Sequence, residues 1–133
     1  MSKICPLFSG STGNSTYIEG ATGAVLADVG MSCKAVTDAL QYVGGEIGKI
    51  SAVVITHEHI DHIKGLKPFL NTARQAVLIS TAGTLEALDA AGKIPPHTKT
   101  LAIGEETLEA GGIGISRFEI SHDAASPCGY CFL

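Results

Sequence analysis

The sequence predicts a mixed α/β domain, and three observations carry that prediction. Short continuous apolar runs, Ala52-Val53-Val54-Ile55 and Ala76-Val77-Leu78-Ile79, have the length and β-branched content of buried strands. Residues at helical spacing, Val36, Ala39, Leu40 and Val43, precede the first run, and Leu85 and Leu88 mark a second helix after the other. Strand-like segments punctuated by glycine occupy both ends of the chain.

Taken in order, residues 3–8 read as a first strand closed by a Gly- and Ser-rich turn over 9–15. Within it Gly10-x-x-Gly13 lacks the Lys-Ser/Thr that a phosphate loop needs, so it reads as a tight turn. Residues 16–19 and 24–27 make a hairpin, and Asp28 closes its second strand. Alone, that Asp is a turn or cap residue. Ser32 is the expected N-cap of a helix over 33–43, ended by Gly44-Gly45. A strand at 51–56 comes next. Leu66, Phe69 and Leu70 then mark a short helix or two turns, limited by Gly65 and Pro68. Ser80 or Thr81 caps a helix ending near Gly92, and Pro95-Pro96 breaks the chain before strands near 98–103, 107–109 and 113–120. His97, beside the prolines, reads as a surface histidine.

The 133 residues suit one domain. An apolar share of 45%, a mean hydropathy of +0.28 and only 17% charged residues point to a deeply buried sheet or to a piece of something larger. No apolar run approaches the roughly 18–20 residues of a membrane span, and residues 1–15 lack an export pattern, so a cytoplasmic protein is expected. A net charge of −4 argues against a nonspecific nucleic-acid binder. It leaves a nuclease open, because bound divalent cations make a site locally positive. Cys5, Cys33, Cys128 and Cys131 have no framework spacing and read as reduced thiols. Cys128-Gly129-Tyr130-Cys131 has a strand pattern, in which residues three apart face opposite sides, and this disfavours a zinc knuckle.

The chemistry concentrates in Thr56-His57-Glu58-His59-Ile60-Asp61-His62, where three of the five histidines follow an apolar strand. Imidazole nitrogen and carboxylate oxygen suit zinc, manganese or iron. If the segment is extended, His57, His59 and Asp61 converge, and His62 points elsewhere, toward a second ion.

His57-x-His59-x-Asp61-His62 resembles the HxHxDH signature of the metallo-beta-lactamase fold hydrolases. Phe8 to Ser15, Leu26-Ala27-Asp28-Val29-Gly30, and Ser121-His122-Asp123-Ala124 with Gly129-Tyr130 are similar to the YycJ/WalJ branch of that family, described as metal-dependent phosphodiesterases or exonucleases. The resemblance implies an αββα sandwich of which residues 1–133 form roughly the N-terminal half, truncated before the family's later ligand motifs. It implies two divalent ions, zinc or manganese with iron as an alternative. His57, His59 and His122 would hold the first ion, and Asp61 and His62 the second, incomplete without the family's bridging aspartate and final histidine. Asp61 would also orient the attacking hydroxide formed at the ions, and Asp28 and Asp123 are the candidates to support the imidazoles. A Ser121-His122-Asp123 triad is discounted, since adjacent residues on an extended segment do not line up as nucleophile, base and orienter.

The expected function is therefore a metal-dependent hydrolase, a phosphodiesterase or exonuclease acting on DNA or RNA. The same site would serve a small ester, thioester or lactone, and a metal-binding half-domain without turnover is the non-enzymatic alternative. With helices covering one face of the sheet, the other face is expected to lie bare and to recruit a second copy as a homodimer, unless residues 104–133 fold back over it or a missing C-terminal half supplies the cover.

Overall fold

The computed structural model describes residues 3–8, 13–56, 60–119 and 128–132. A six-stranded sheet runs in sequence order through β1 (Lys3–Phe8), β2 (Ser15–Glu19), β3 (Ala24–Ala27), β4 (Ile50–Val54), β5 (Val77–Ser80) and β6 (Thr100–Ala102). β1, β2 and β3 pair antiparallel, as hairpin connections allow, whereas β3 to β6 are parallel. Each parallel step needs a crossover, and helices supply it. These are α1 (Cys33–Tyr42), then α2 (Ile60–Ile63) with α3 (Leu66–Thr72), and finally α4 (Ala82–Ala90).

The helices begin where the sequence places their caps. Ser32 Oγ accepts from Ala35 N at 3.2 Å, and Thr81, rather than Ser80, caps α4 by accepting from Thr84 N at 3.3 Å. Pro68 is tolerated because it is the third residue of α3, where a backbone N–H has no intrahelical partner to lose. Val36 and Leu40 of α1, Leu66, Phe69 and Leu70 of α3, and Leu88 of α4 all pack on one face of the sheet against Leu26, Val53 and Leu78. Burying each such large side chain stabilises the fold by about 1.5–3 kcal/mol relative to exposure.

The opposite face corrects one expectation. Ile18, Val25, Ala52, Val54 and Ile79 are covered by Ile113 and Ile115, with Leu108, Ala110 and Phe132 packed alongside. Those residues belong to a second sheet, β7 (Leu108–Ala110), β8 (Ile113–Glu119) and β9 (Cys128–Phe132). The period-2 pattern of this segment therefore faces inward onto the first sheet, and the bare surface that argued for a twofold partner is closed at its centre. Among the described residues its flanks stay open: Ile4, opposite Ile18, is 62% exposed, and Leu101, opposite Ile79, is 43% exposed.

What seats the second sheet is a contact between two hairpin turns. Thr22 N donates to Gly111 O at 3.1 Å, and a Cβ on Gly20 would strike Gly111 O and come within 2.6 Å of Ile113 Cγ1. Glycine at position 20 is what permits that approach. The described chain is thus a helix layer on two stacked sheets, the α-β-β part of the expected sandwich.

Candidate metal centre

In an open parallel sheet the carboxyl ends of the strands are where ligands bind. Asp28 follows the end of β3, Thr56 lies just past β4, and Ser80 ends β5, so all three stand at that edge. Ser80, fully buried, donates its hydroxyl to Ile55 O at 2.7 Å, and Ile55 N donates to Ile79 O at 3.0 Å. These two bonds hold the peptide that leads into the histidine cluster.

Asp28 is the one described non-glycine residue with a positive φ, at 65°. Asp tolerates the left-handed region better than most residues, and the turn swings its carboxylate back over the end of β4. Its own N–H donates to Val54 O at 2.8 Å. The buried carboxylate then receives three donors: Thr56 N on Oδ1 at 2.9 Å, Thr56 Oγ1 on Oδ2 at 2.9 Å, and His62 Nδ1, 2.7 Å from Oδ2. An ionised carboxylate only accepts, so neutral His62 carries its proton on Nδ1 and its lone pair on Nε2. That is the tautomer of a metal-ligating imidazole buttressed by a carboxylate. The backbone ties the same parts together. Val29 N donates to His62 O at 2.8 Å, and Gly65 N donates to Val29 O at 2.9 Å, with Gly65 seated so closely that a Cβ would strike Met31 O.

The residues expected from sequence fall into two groups. His57, His59, His122 and Asp123 lie outside the described residues. Asp61 and His62 lie on α2, a helical turn, which corrects the expectation of an extended segment there. Among the described residues no three His, Cys, Asp or Glu side chains gather into a site. The donor set nonetheless fits a divalent ion, on the observation that His62 is held by Asp28 in the ligating tautomer.

His97 is not a plain surface residue: it is partly buried, and its Nε2 donates to Leu70 O, 3.1 Å away, near the C-terminus of α3. β9 runs from Cys128 to Phe132, in keeping with the strand reading of the Cys-x-x-Cys segment. Sequence reasoning missed Thr56 and Ser80 as parts of the site's support. Their only signal was position, a hydroxyl residue at the end of each central strand.

A cleft of about 570 Å³ lies at the opposite, amino end of β4, lined by Tyr17, Glu19, Ser51 and Gln75 among others. Its polar groups are engaged elsewhere. Gln75 Nε2 donates to Ile47 O at 2.9 Å and Ile50 O at 3.1 Å, and Lys49 pairs with Glu46 at 3.0 Å, so chemistry is assigned to the Asp28 end.

The family profile described as the Metallo-beta-lactamase superfamily matches residues 9–132. Among curated proteins, the chain is 35% identical to "Exodeoxyribonuclease WalJ" of Streptococcus pneumoniae over 134 residues, covering 98% of this chain and 49% of that protein. It is also 35% identical to "Exodeoxyribonuclease YycJ" of Bacillus anthracis over 128 residues, 95% of this chain and 48% of the other. The chain thus spans about half the length of the curated relatives it matches. Among solved structures it superposes on the metallo-beta-lactamase GOB-18 from Elizabethkingia meningoseptica with a TM-score of 0.77 at 17% identity, covering 90% of this chain and 49% of that one. A metallo-beta-lactamase of Cronobacter sakazakii gives a TM-score of 0.77 at 16% identity, over 92% of this chain and 54% of the other. Both structural likenesses speak to the fold alone.

Proposed function

The chain belongs to the metallo-beta-lactamase superfamily, and from that premise we propose that it carries the metal-binding part of a hydrolase that cleaves phosphodiester bonds in DNA. The observation that carries this reading is the Asp28–His62 pair at the carboxyl edge of the sheet, next to the His57-x-His59-x-Asp61-His62 signature. The relatives named as exodeoxyribonucleases supply the substrate class.

In this proposal His57, His59 and His122 hold one divalent ion, zinc or manganese, and Asp61 and His62 belong to a second. When bound, such ions lower the pKa of water toward about 7 and neutralise charge growing on phosphoryl oxygens. The chain's own residues do the rest. Asp28 fixes the His62 ring and Asp61 orients the attacking hydroxide. Ser80 and the Val29–His62 backbone bond keep the loop from shifting. The reading places the protein in the cytoplasm, in keeping with Cys5 and Cys33 as free thiols.

Digestion of labelled single-stranded DNA with manganese tests it, with the full-length S. pneumoniae protein assayed alongside. The expected result is slow, metal-dependent release of nucleotides that His59→Ala abolishes. The rate should lie below the full-length protein's by about 10²–10³, the usual effect of losing one strong electrostatic stabiliser. Hydrolysis of a thioester or lactone with DNA left intact would overturn the substrate assignment.

A further inference from the structure

We propose that Thr56 is a positioning residue for the metal centre, its backbone N–H and hydroxyl gripping both oxygens of Asp28 so that the carboxylate holds His62 in one tautomer and one orientation. The proposal rests on the metal reading above and adds a residue that the signature does not contain.

Torsional freedom is what the clamp removes. The terminal torsion of an aspartate is broad, so a carboxylate held at one oxygen swings about that contact. Here one residue holds both: Thr56 N on Oδ1 at 2.9 Å and Thr56 Oγ1 on Oδ2 at 2.9 Å. The plane of the carboxylate is then fixed, and with it the direction from which Oδ2 receives His62 Nδ1 at 2.7 Å. Thr56 Oγ1 also lies 3.1 Å from Nδ1, closing a triangle of oxygen, oxygen and nitrogen. The hydroxyl has a single proton, which goes to Oδ2, so its lone pair faces Nδ1 and again requires that nitrogen to be the donor.

A β-branched residue suits the task, because Thr is stiff at χ1 and keeps the hydroxyl where the carboxylate needs it. Ser80 braces the preceding carbonyl, Ile55 O, from the other side at 2.7 Å, so the position of Thr56 is itself fixed. Valine, equal in shape, would keep the N–H anchor and lose the hydroxyl anchor. Oδ2 would then be held only by His62 itself, so the ring would lean on an oxygen with no independent anchor.

The test uses the 133-residue chain with Thr56→Val and Thr56→Ser, zinc ion as the probe in competition with a chromogenic chelator, and nitrogen NMR of His62 in metal-free protein at alkaline pH. Expected are a loss of affinity for the second zinc equivalent, the one assigned to Asp61 and His62, of about 10–100-fold in Thr56→Val, the usual cost of removing a group that supports a ligand, and recovery to near wild type in Thr56→Ser. The wild-type ring should carry its proton on Nδ1. Binding of the second zinc equivalent by Thr56→Val as tight as in wild type, or a wild-type His62 protonated mainly on Nε2, would overturn the proposal. A wild-type chain that takes up no zinc would instead defeat the metal reading, and the role of Thr56 would then be decided by the His62 tautomer in Thr56→Val against wild type, the preference for Nδ1 weakening in the variant if the proposal holds and staying unchanged if it does not. Thr56→Ala takes its place if Thr56→Val does not fold.

Discussion

Asp28→Asn isolates the charge and acceptor count of the clamp without disturbing its backbone, because Asn also tolerates a positive φ. The carboxylate receives Thr56 N, Thr56 Oγ1 and His62 Nδ1, spread over both oxygens. An amide offers one acceptor oxygen. If that oxygen takes the place of Oδ2, the NH₂ group meets Thr56 N–H, donor against donor at 2.9 Å. If it takes the place of Oδ1, the NH₂ group meets His62, which must move its proton to Nε2 and give up the lone pair a metal needs. In the first case one buried hydrogen-bonding group goes unpaired, a cost of about 1–3 kcal/mol; in the second the hydrogen bonds are kept and the cost falls on metal binding. For a domain of this size a loss of about 2 kcal/mol lowers Tm by roughly 6–10 °C. Thermal melting of metal-free protein, followed by circular dichroism, measures that part. Zinc titration measures the other, a loss of affinity of about tenfold or more. Melting unchanged within the roughly 0.5 kcal/mol typical of surface substitutions, together with unaltered zinc affinity, would refute the clamp.

Two further outcomes follow from the structure. Gly20→Ala drives a methyl into Gly111 O and Ile113 and should cost about 1–3 kcal/mol, with the second sheet loosening first; hydrogen exchange confined to β7 and β8 would show it, and uniform exchange would not. Tyr17, buried at 3% exposure, has its phenol pushed above the usual value, first by desolvation and then by Glu19. A group whose folded pKa is raised contributes stability that is complete below its unfolded value, about 10, and is lost as pH rises through the folded value. The chain should therefore lose stability above about pH 10. Tyr17→Phe should blunt that loss in alkaline denaturation; an identical pH profile in the variant would contradict the assignment.

Much of this was legible in the residues themselves, for reasons that differ by element. The buried strands around Val53 and Leu78 and the capped helices at Ser32 and Thr81 are written in local periodicity and local hydrogen bonds, which a sequence displays directly. The HxHxDH spacing likewise put Asp61 and His62 forward as ligands before any geometry. The α2 turn escaped notice because four residues are too few to show a helical period. The clamp escaped because Asp28 and Thr56 are 28 positions apart and nothing local to either announces the other. The docking of Ile113 and Ile115 onto the first sheet had a visible strand pattern but no visible address. That address is set by the approach of two glycine-containing turns, Gly20 to Gly111, which no periodicity records.

The central claim is that the chain holds a divalent metal through its histidine cluster, and elemental analysis of protein purified without chelator tests it most directly. The account predicts at least about one equivalent of zinc or manganese per chain, lost in His59→Ala while the variant still folds. A metal-free wild-type protein, or a metal content that His59→Ala leaves unchanged, would contradict it.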